Sequence, residues 1–285
     1  MRREQWHNEH FAAWVRFLRL PNLLTVPGDV FAGSVLGGGI PGEAFRVLPA
    51  VCLAYLFGMA LNDLWDQQKD TLERPERPLP SGKLSRPQAL TACALLGFGA
   101  LAVYPAPVMM ALLGAILAYT TLKGPFPLAG FLLMGACRGF SVWIGAGAPL
   151  SVSAPLAGGI GLWCVYIAAV TWLASAETGK KMNPQAPWIL PILLNVGLVI
   201  LAYTAPNPSP WAYFPGLASF AMVNVAARDM IGAQKVNPAA IGRLLRLLFV
   251  MQAFVLALYG HPLSATGIWA LLPLMKWTQK QVPAS

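Results

Sequence analysis

The sequence predicts an all-α protein that crosses a membrane about nine times. Three observations carry that expectation. Hydrophobic residues make up 56% of the chain and charged residues 11%, against about 25% charged in a soluble domain. The charges are clustered, which leaves apolar stretches of about 17 to 20 residues, enough for a helix to span a bilayer. The basic residues fall in alternate loops, the pattern that orients a polytopic protein. Transmembrane strands would instead show alternation in segments of about ten residues, and that pattern is not found.

Taken in order, residues 4–19 read as an interfacial helix. Phe11, Trp14, Val15 and Leu18 repeat at helical spacing, with His10, Arg16 and Arg19 elsewhere on the wheel. Pro21 ends it. The first span runs from about Asn22 to Leu36 and contains Asp29. The second, Leu48 to Leu64, delivers an acidic motif at its end, and the polar segment 65–86 follows. The third span is Pro87 to Val103; Tyr104-Pro105-Ala106-Pro107 then makes a tight turn. The fourth is Val108 to Leu122, and Lys123 sits in the short turn to the fifth, Phe126 to Ala146, which contains Arg138. The sixth, Pro155 to Ala176, ends in Glu177-Thr178-Gly179-Lys180-Lys181. The seventh is Trp188 to Ala205, the eighth Trp211 to Ala227 and the ninth Leu244 to Tyr259. Residues 264–275 are apolar but too few to cross easily, so 264–285 is expected to be an interfacial segment. The chain, 1–285, reads as one membrane domain, with 1–21 as its N-terminal interfacial helix.

Basic residues set the expected orientation. Arg2, Arg3, Arg16 and Arg19 precede the first span, and Lys69, Arg74, Arg77, Lys83 and Arg86 lie between the second and third. Lys123, Lys180, Lys181, Arg228, Lys235, Arg243 and Arg246 fall on the same side, whereas the opposite loops carry only Arg46. That puts the N-terminus and the acidic motif in the cytoplasm, with a bacterial inner membrane as the expected location. The net charge of +9 is therefore explained by membrane orientation rather than by nucleic-acid binding. Cys52, Cys93, Cys137 and Cys164 lie in apolar spans without disulfide or zinc spacing. The first twenty residues lack the apolar core of a cleavable signal.

The chemistry concentrates between Leu61 and Ser85. Asn62, Asp66 and Asp70 are spaced i, i+4, i+8. On a helix they form one stripe, drifting about 40° per step with about 6 Å between neighbours. Carboxylates crowded together repel unless a cation lies between them. Oxygen ligands of this kind suit Mg²⁺, which is usually completed by water and substrate phosphates. Arg74, Arg77 and Lys83 follow and could hold the same phosphates. The plain alternative is a polar loop with self-paired charges.

The string Asn62-Asp63-x-x-Asp66-x-x-x-Asp70 resembles the first aspartate-rich motif of the UbiA superfamily of intramembrane prenyltransferases. Arg77-Pro78-Leu79-Pro80-Ser81-Gly82-Lys83-Leu84-Ser85 is similar to that family's RPLPSG-type continuation. The resemblance implies a helical bundle around a central cavity that opens beneath a cytoplasmic cap. It implies Mg²⁺ held by Asn62, Asp66 and Asp70, bridging the diphosphate of a polyprenyl donor, with Asp63 in the same donor site. Arg77, Lys83 and Lys123 would neutralise the remaining oxygens, and Tyr119 would line the cavity. Loss of diphosphate would leave an allylic cation for attack by a small, typically aromatic, acceptor. Asp66, Asp70 and Lys123 are then the expected catalytic residues.

Elsewhere two readings stand side by side. Lys123 is either a diphosphate ligand or an ordinary membrane-flanking cation. Asn22, in a segment similar to the family's N-terminal R-P motif, either points into the cavity or caps the first helix. Asp29 and Arg138 lie within spans, where charges are costly and face the bundle interior. Either they pair with each other, or Asp29 binds or deprotonates the acceptor. The family's second aspartate motif is reduced here to Glu177 followed by two lysines. Glu177 is either a ligand to the single metal's water, a partner of a lysine, or a solvated carboxylate. A terpene cyclase, a non-catalytic lipid-binding protein on the same fold and a secondary transporter are the rival functions.

Overall fold

The computed structural model describes residues 2–175, 186–230 and 238–281, and every regular element among them is helical. The chain opens with α1 (Arg2–Phe17), followed by a short α2 (Leu20–Leu23) and α3 (Val26–Leu36). The expected first helix and first span are thus divided differently. Arg19 adopts the left-handed conformation at φ 47°, ψ 45° and breaks the chain two residues before Pro21. Pro21 then opens α2 and Pro27 opens α3, since a proline's missing N–H costs nothing in a helix's first turn. The same device starts α4 (Leu48–Trp65), α6 (Arg86–Val103), α7 (Pro107–Leu122), α8 (Pro127–Gly145) and α9 (Ala154–Ala174). This is how a chain with 25 prolines remains helical. A short α5 (Gln67–Glu73) lies between α4 and α6; α10 (Ile189–Thr204), α11 (Tyr213–Arg228), α12 (Pro238–Leu258) and α13 (Pro262–Gln281) complete the order.

The nine expected crossings correspond to α3, α4 and α6 to α12. Among them α4, α6, α8, α9 and most of α12 are long and apolar enough to cross a bilayer unaided; α7 and α10 are shorter apolar helices of 16 residues. The 264–275 stretch is the middle of α13, a 20-residue helix that contains Pro273 and packs on α12 and α2. At about 1.5 Å per residue it reaches about 30 Å, longer than its apolar stretch alone indicated.

Helix α3 sits at the centre, against α8, α9 and α12. Glycine allows that approach. A Cβ on Gly33 would overlap the Val142 carbonyl, and one on Gly145 would overlap the Val30 carbonyl. A Cβ on Gly135 of α8 would likewise overlap the Cys164 carbonyl on α9. In a bilayer helices gain little from hiding apolar surface, so close contact through small residues provides much of the association. The apolar core falls into three clusters. One joins α3 and α4 to α7, and a larger one joins α3 and α9 to α10–α13. The third packs Phe17 of α1 with Ala60, Leu64, Leu79 and Leu84. Helix α1 and the 74–85 loop thereby form a cap over the end of α4.

Candidate active site

The acidic motif forms where α4 ends. Asp66, at φ −82° and ψ 0°, is the pivot between α4 and α5. Backbone bonding still runs across it, from Asp66 N–H to the Asn62 carbonyl at 3.0 Å and from Asp70 N–H to the Asp66 carbonyl at 2.8 Å. The bend turns the four polar residues to different partners. Asn62 and Asp66 face α7, where the Lys123 ammonium contacts Asn62 Oδ1 and lies 2.5 Å from Asp66 Oδ2. Asp63 accepts a bond of 2.9 Å from Arg19, which the left-handed turn brings beneath the cap. Asp70 accepts a bond of 2.6 Å from Arg77, whose guanidinium is also 3.7 Å from Asp63.

The expected continuous stripe is therefore divided. Asn62 and Asp66 converge on one cation, while Asp70 is held by Arg77. Arg77 is itself buried, with 4% exposure, between two carboxylates. It is fixed there by the loop's own bonds, from Ser81 N–H to the Arg77 carbonyl and from Leu84 N–H to the Pro78 carbonyl. The chain then passes through Gly82 at φ +72° and enters α6 through a Ser85–Gln88 capping box. Lys83 is exposed in a separate surface hollow with Glu9, His10 and Gln88; it is not brought to Asp66. Burial pushes the Lys123 ammonium below the ordinary lysine value, against the opposing pull of Asp66.

One helical turn below Asn62 begins a cavity of about 70 Å³ between α4, α7 and α8. Tyr55, Gly58, Ile116, Tyr119, Met134 and Arg138 are among its walls. Tyr119 links the cavity to the motif, since the Lys123 ammonium stands 5.5 Å from its ring centroid. Arg138 lies 5.8 Å from the Tyr55 ring. Asn22, half-buried in α2, lies outside this lining, and its carbonyl accepts from the Thr25 hydroxyl.

Asp29 and Arg138 do pair, at 2.5 Å. Asp29 is fully buried, with 0% exposure, and its other oxygen accepts from Trp163 at 2.7 Å and Gln252 at 2.6 Å. It does not line the cavity; Arg138 is the member of the pair that does. Thr25 completes the group, its hydroxyl meeting Arg138 and its carbonyl accepting from Gln252 at 2.8 Å. Sequence reasoning missed Trp163, Gln252 and Thr25. A lone glutamine amid the apolar residues of α12 was the available signal. Trp163 gave none, because tryptophans in such chains more often anchor the interface.

The chemistry of the donors decides what metal they fit. Asn62 and Asp66 supply two hard oxygens already directed at a cation, which suits Mg²⁺ with water and phosphate as further ligands. No group of three or more carboxylate, histidine or cysteine side chains with metal-binding geometry occurs among the described residues. Asp70, engaged by Arg77, is not part of the converging pair. Glu177 lies outside the described residues, as do Lys180 and Lys181.

A family model, the UbiA prenyltransferase family, matches residues 28–239. The chain belongs to that family. Within the UbiA family it is similar to digeranylgeranylglyceryl phosphate synthases of archaea. It is 31% identical to that of Halobacterium salinarum over 155 residues, covering 51% of this chain and 55% of the relative. It is 33% identical to that of Thermococcus kodakarensis over 146 residues, covering 48% and 52%. For Ignicoccus hospitalis the identity is 35% over 111 residues, covering 38% and 37%. The chain thus spans about half the length, or less, of the curated relatives it matches. A solved structure concerned with digeranylgeranylglyceryl phosphate synthase in membranes has the same fold, with a TM-score of 0.61 at 16% identity, covering 92% of this chain and 99% of that one.

Proposed function

We propose that this protein transfers a polyprenyl group from a polyprenyl diphosphate to a small acceptor within the membrane. The observation that carries the reading is the cluster of Asn62, Asp66 and Lys123 at the head of the apolar cavity. A donor's charged and greasy halves need such a pair of environments side by side. Its diphosphate lies against Lys123, and its chain enters the cavity past Tyr119 and Ile116. Mg²⁺ held by Asn62 and Asp66 would supply further positive charge to the leaving diphosphate. Arg77 keeps the loop in place by bridging Asp63 and Asp70 rather than by holding the donor.

In the transfer itself the C1–oxygen bond breaks and its electron pair leaves with the diphosphate. The Tyr55 and Tyr119 rings stabilise the allylic cation through their π faces, and the apolar walls keep water away from it. The acceptor's nucleophilic atom bonds to C1, and its proton passes to the released diphosphate. The named relatives support a geranylgeranyl donor; their glyceryl phosphate is not carried over as the acceptor here. The segregated basic residues support an orientation with this end of the bundle in the cytoplasm.

The test is incubation of the purified protein in lipid vesicles with Mg²⁺, labelled geranylgeranyl diphosphate and a membrane extract. A prenylated acceptor appearing with diphosphate is the expected result. A labelled hydrocarbon or terpene alcohol without acceptor would indicate a cyclase, and no diphosphate release would indicate a binding protein.

A further inference from the structure

The opposite end of the bundle carries a polar hollow of about 520 Å³. It lies at the start of α4, whose 18 residues put it about 27 Å from the acidic motif at that helix's other end. Helices α3 and α8 both end there, turning through Gly38 at φ +86° and Gly147 at φ +79°. A Cβ on Gly37 would overlap Ala146, so glycine lets the two ends lie side by side. Two exposed charges share the hollow, Glu43 and Arg46. In the sequence they are the one acidic and the one basic residue of the loops on this side. They stand three apart on a short 3₁₀ helix, Pro41–Arg46, a spacing that eclipses side chains. Even so they do not pair, and among the described residues neither has an ion-pair partner. The Glu43 carboxylate instead folds back over the end of α3, where a Cβ on Gly39 would meet it at 2.6 Å. Arg46 stands at the entry to α4.

We infer that this hollow binds the headgroup of a zwitterionic phospholipid bearing a primary ammonium, such as phosphatidylethanolamine. The layout of charge selects it. Helix C-termini carry partial negative charge, so the ends of α3 and α8 add to Glu43 and make a place for the ammonium. Arg46 and the partly positive start of α4 make a place for the phosphate. A plain anion would meet Glu43 and the two carbonyl ends, and a plain cation would meet Arg46. A choline headgroup has no N–H to donate to a carboxylate or a carbonyl, and Tyr104 is the one aromatic residue in the lining that could hold it otherwise. The bilayer is the source of the ligand, because the hollow lies at the end of membrane-crossing helices. Ile40 and Phe45, exposed on the same segment, give the lipid's acyl chains an apolar surface. A headgroup held there ties the 37–47 segment to the end of α8.

The experiment uses the full chain, purified in detergent and stripped of lipid. Native mass spectrometry then measures binding of phosphatidylethanolamine, phosphatidylcholine and phosphatidylglycerol with identical acyl chains. One phosphatidylethanolamine should be retained with at least about tenfold higher affinity than either of the others. Arg46→Gln should weaken that binding by about tenfold. Glu43→Gln should remove the preference over phosphatidylglycerol. Circular dichroism checks that both variants fold; if either does not, the wild-type comparison decides alone. Equal retention of the three lipids, preference for phosphatidylglycerol, or no retained lipid overturns the inference. So does a preference for phosphatidylethanolamine that both folded variants keep, since the lipid then sits elsewhere. Neither the donor nor diphosphate release enters this test, so its outcome is independent of the prenyl-transfer reading.

Discussion

Replacing Asp29 by asparagine removes a charge that four helices converge on. The new side chain keeps an oxygen for Trp163 and Gln252, so those two bonds survive. What is lost is the pairing with Arg138, whose side chain is 12% exposed. Stranding one member of a buried ion pair costs about 3–5 kcal/mol. Arg138→Gln strands Asp29 instead and is expected to cost a similar amount. The double variant strands neither. It gives up only the two contacts of Arg138 to Asp29 and Thr25, worth about 0.6 kcal/mol each between membrane helices, or about 1 kcal/mol together. The coupling energy should thus be several kcal/mol, far beyond the roughly 0.5 kcal/mol scatter of independent sites. Unfolding in mixed micelles at graded denaturing detergent, followed by circular dichroism, measures all four proteins. Additive costs, or single variants within about 1 kcal/mol of wild type, would refute the account of this ion pair.

Three further outcomes are expected. Lys123→Ala should weaken donor use by at least about tenfold, because that ammonium meets Asn62 and Asp66, whereas exposed Lys83→Ala should change it less than about twofold; equal losses in steady-state kinetics would contradict the assignment of Lys123. Gly33→Val should destabilise the fold by at least about 1–3 kcal/mol, since its Cβ would overlap the Val142 carbonyl, and an unchanged detergent midpoint would show that α3 and α8 are less tightly set. Gln68→Cys in right-side-out vesicles should resist an impermeant thiol reagent, and ready labelling would reverse the orientation drawn from the basic residues.

The bundle was legible because its signals are local: long uncharged stretches, prolines before each span, and charges gathered between them. The Asn62–Asp66 pair was legible for the same reason, four residues apart on one helix. Asp70 was not, because the helix bends at Asp66 and a buried Arg77, seven positions on, takes it over. Spacing along an ideal helix does not foresee such a bend. Lys83, near the motif in sequence, lies in a separate surface hollow with Glu9 and His10. The Asp29–Arg138 pair was one of two open readings, and the contacts that surround it in the fold are long-range: Gln252 reaches Asp29 from 223 positions away. Only the packing of α3, α8, α9 and α12 brings those groups together.

The central claim is that Asn62, Asp66 and Lys123 make the donor diphosphate's site, and Asp66→Asn tests it most directly. The change keeps the side chain's size and removes its charge at a helix end, so the fold should survive, which the detergent midpoint checks. Release of diphosphate from labelled geranylgeranyl diphosphate, measured with Mg²⁺ present, should fall by at least ~10²-fold, the scale of losing a key electrostatic stabiliser. Wild-type release by the folded Asp66→Asn protein would contradict the account.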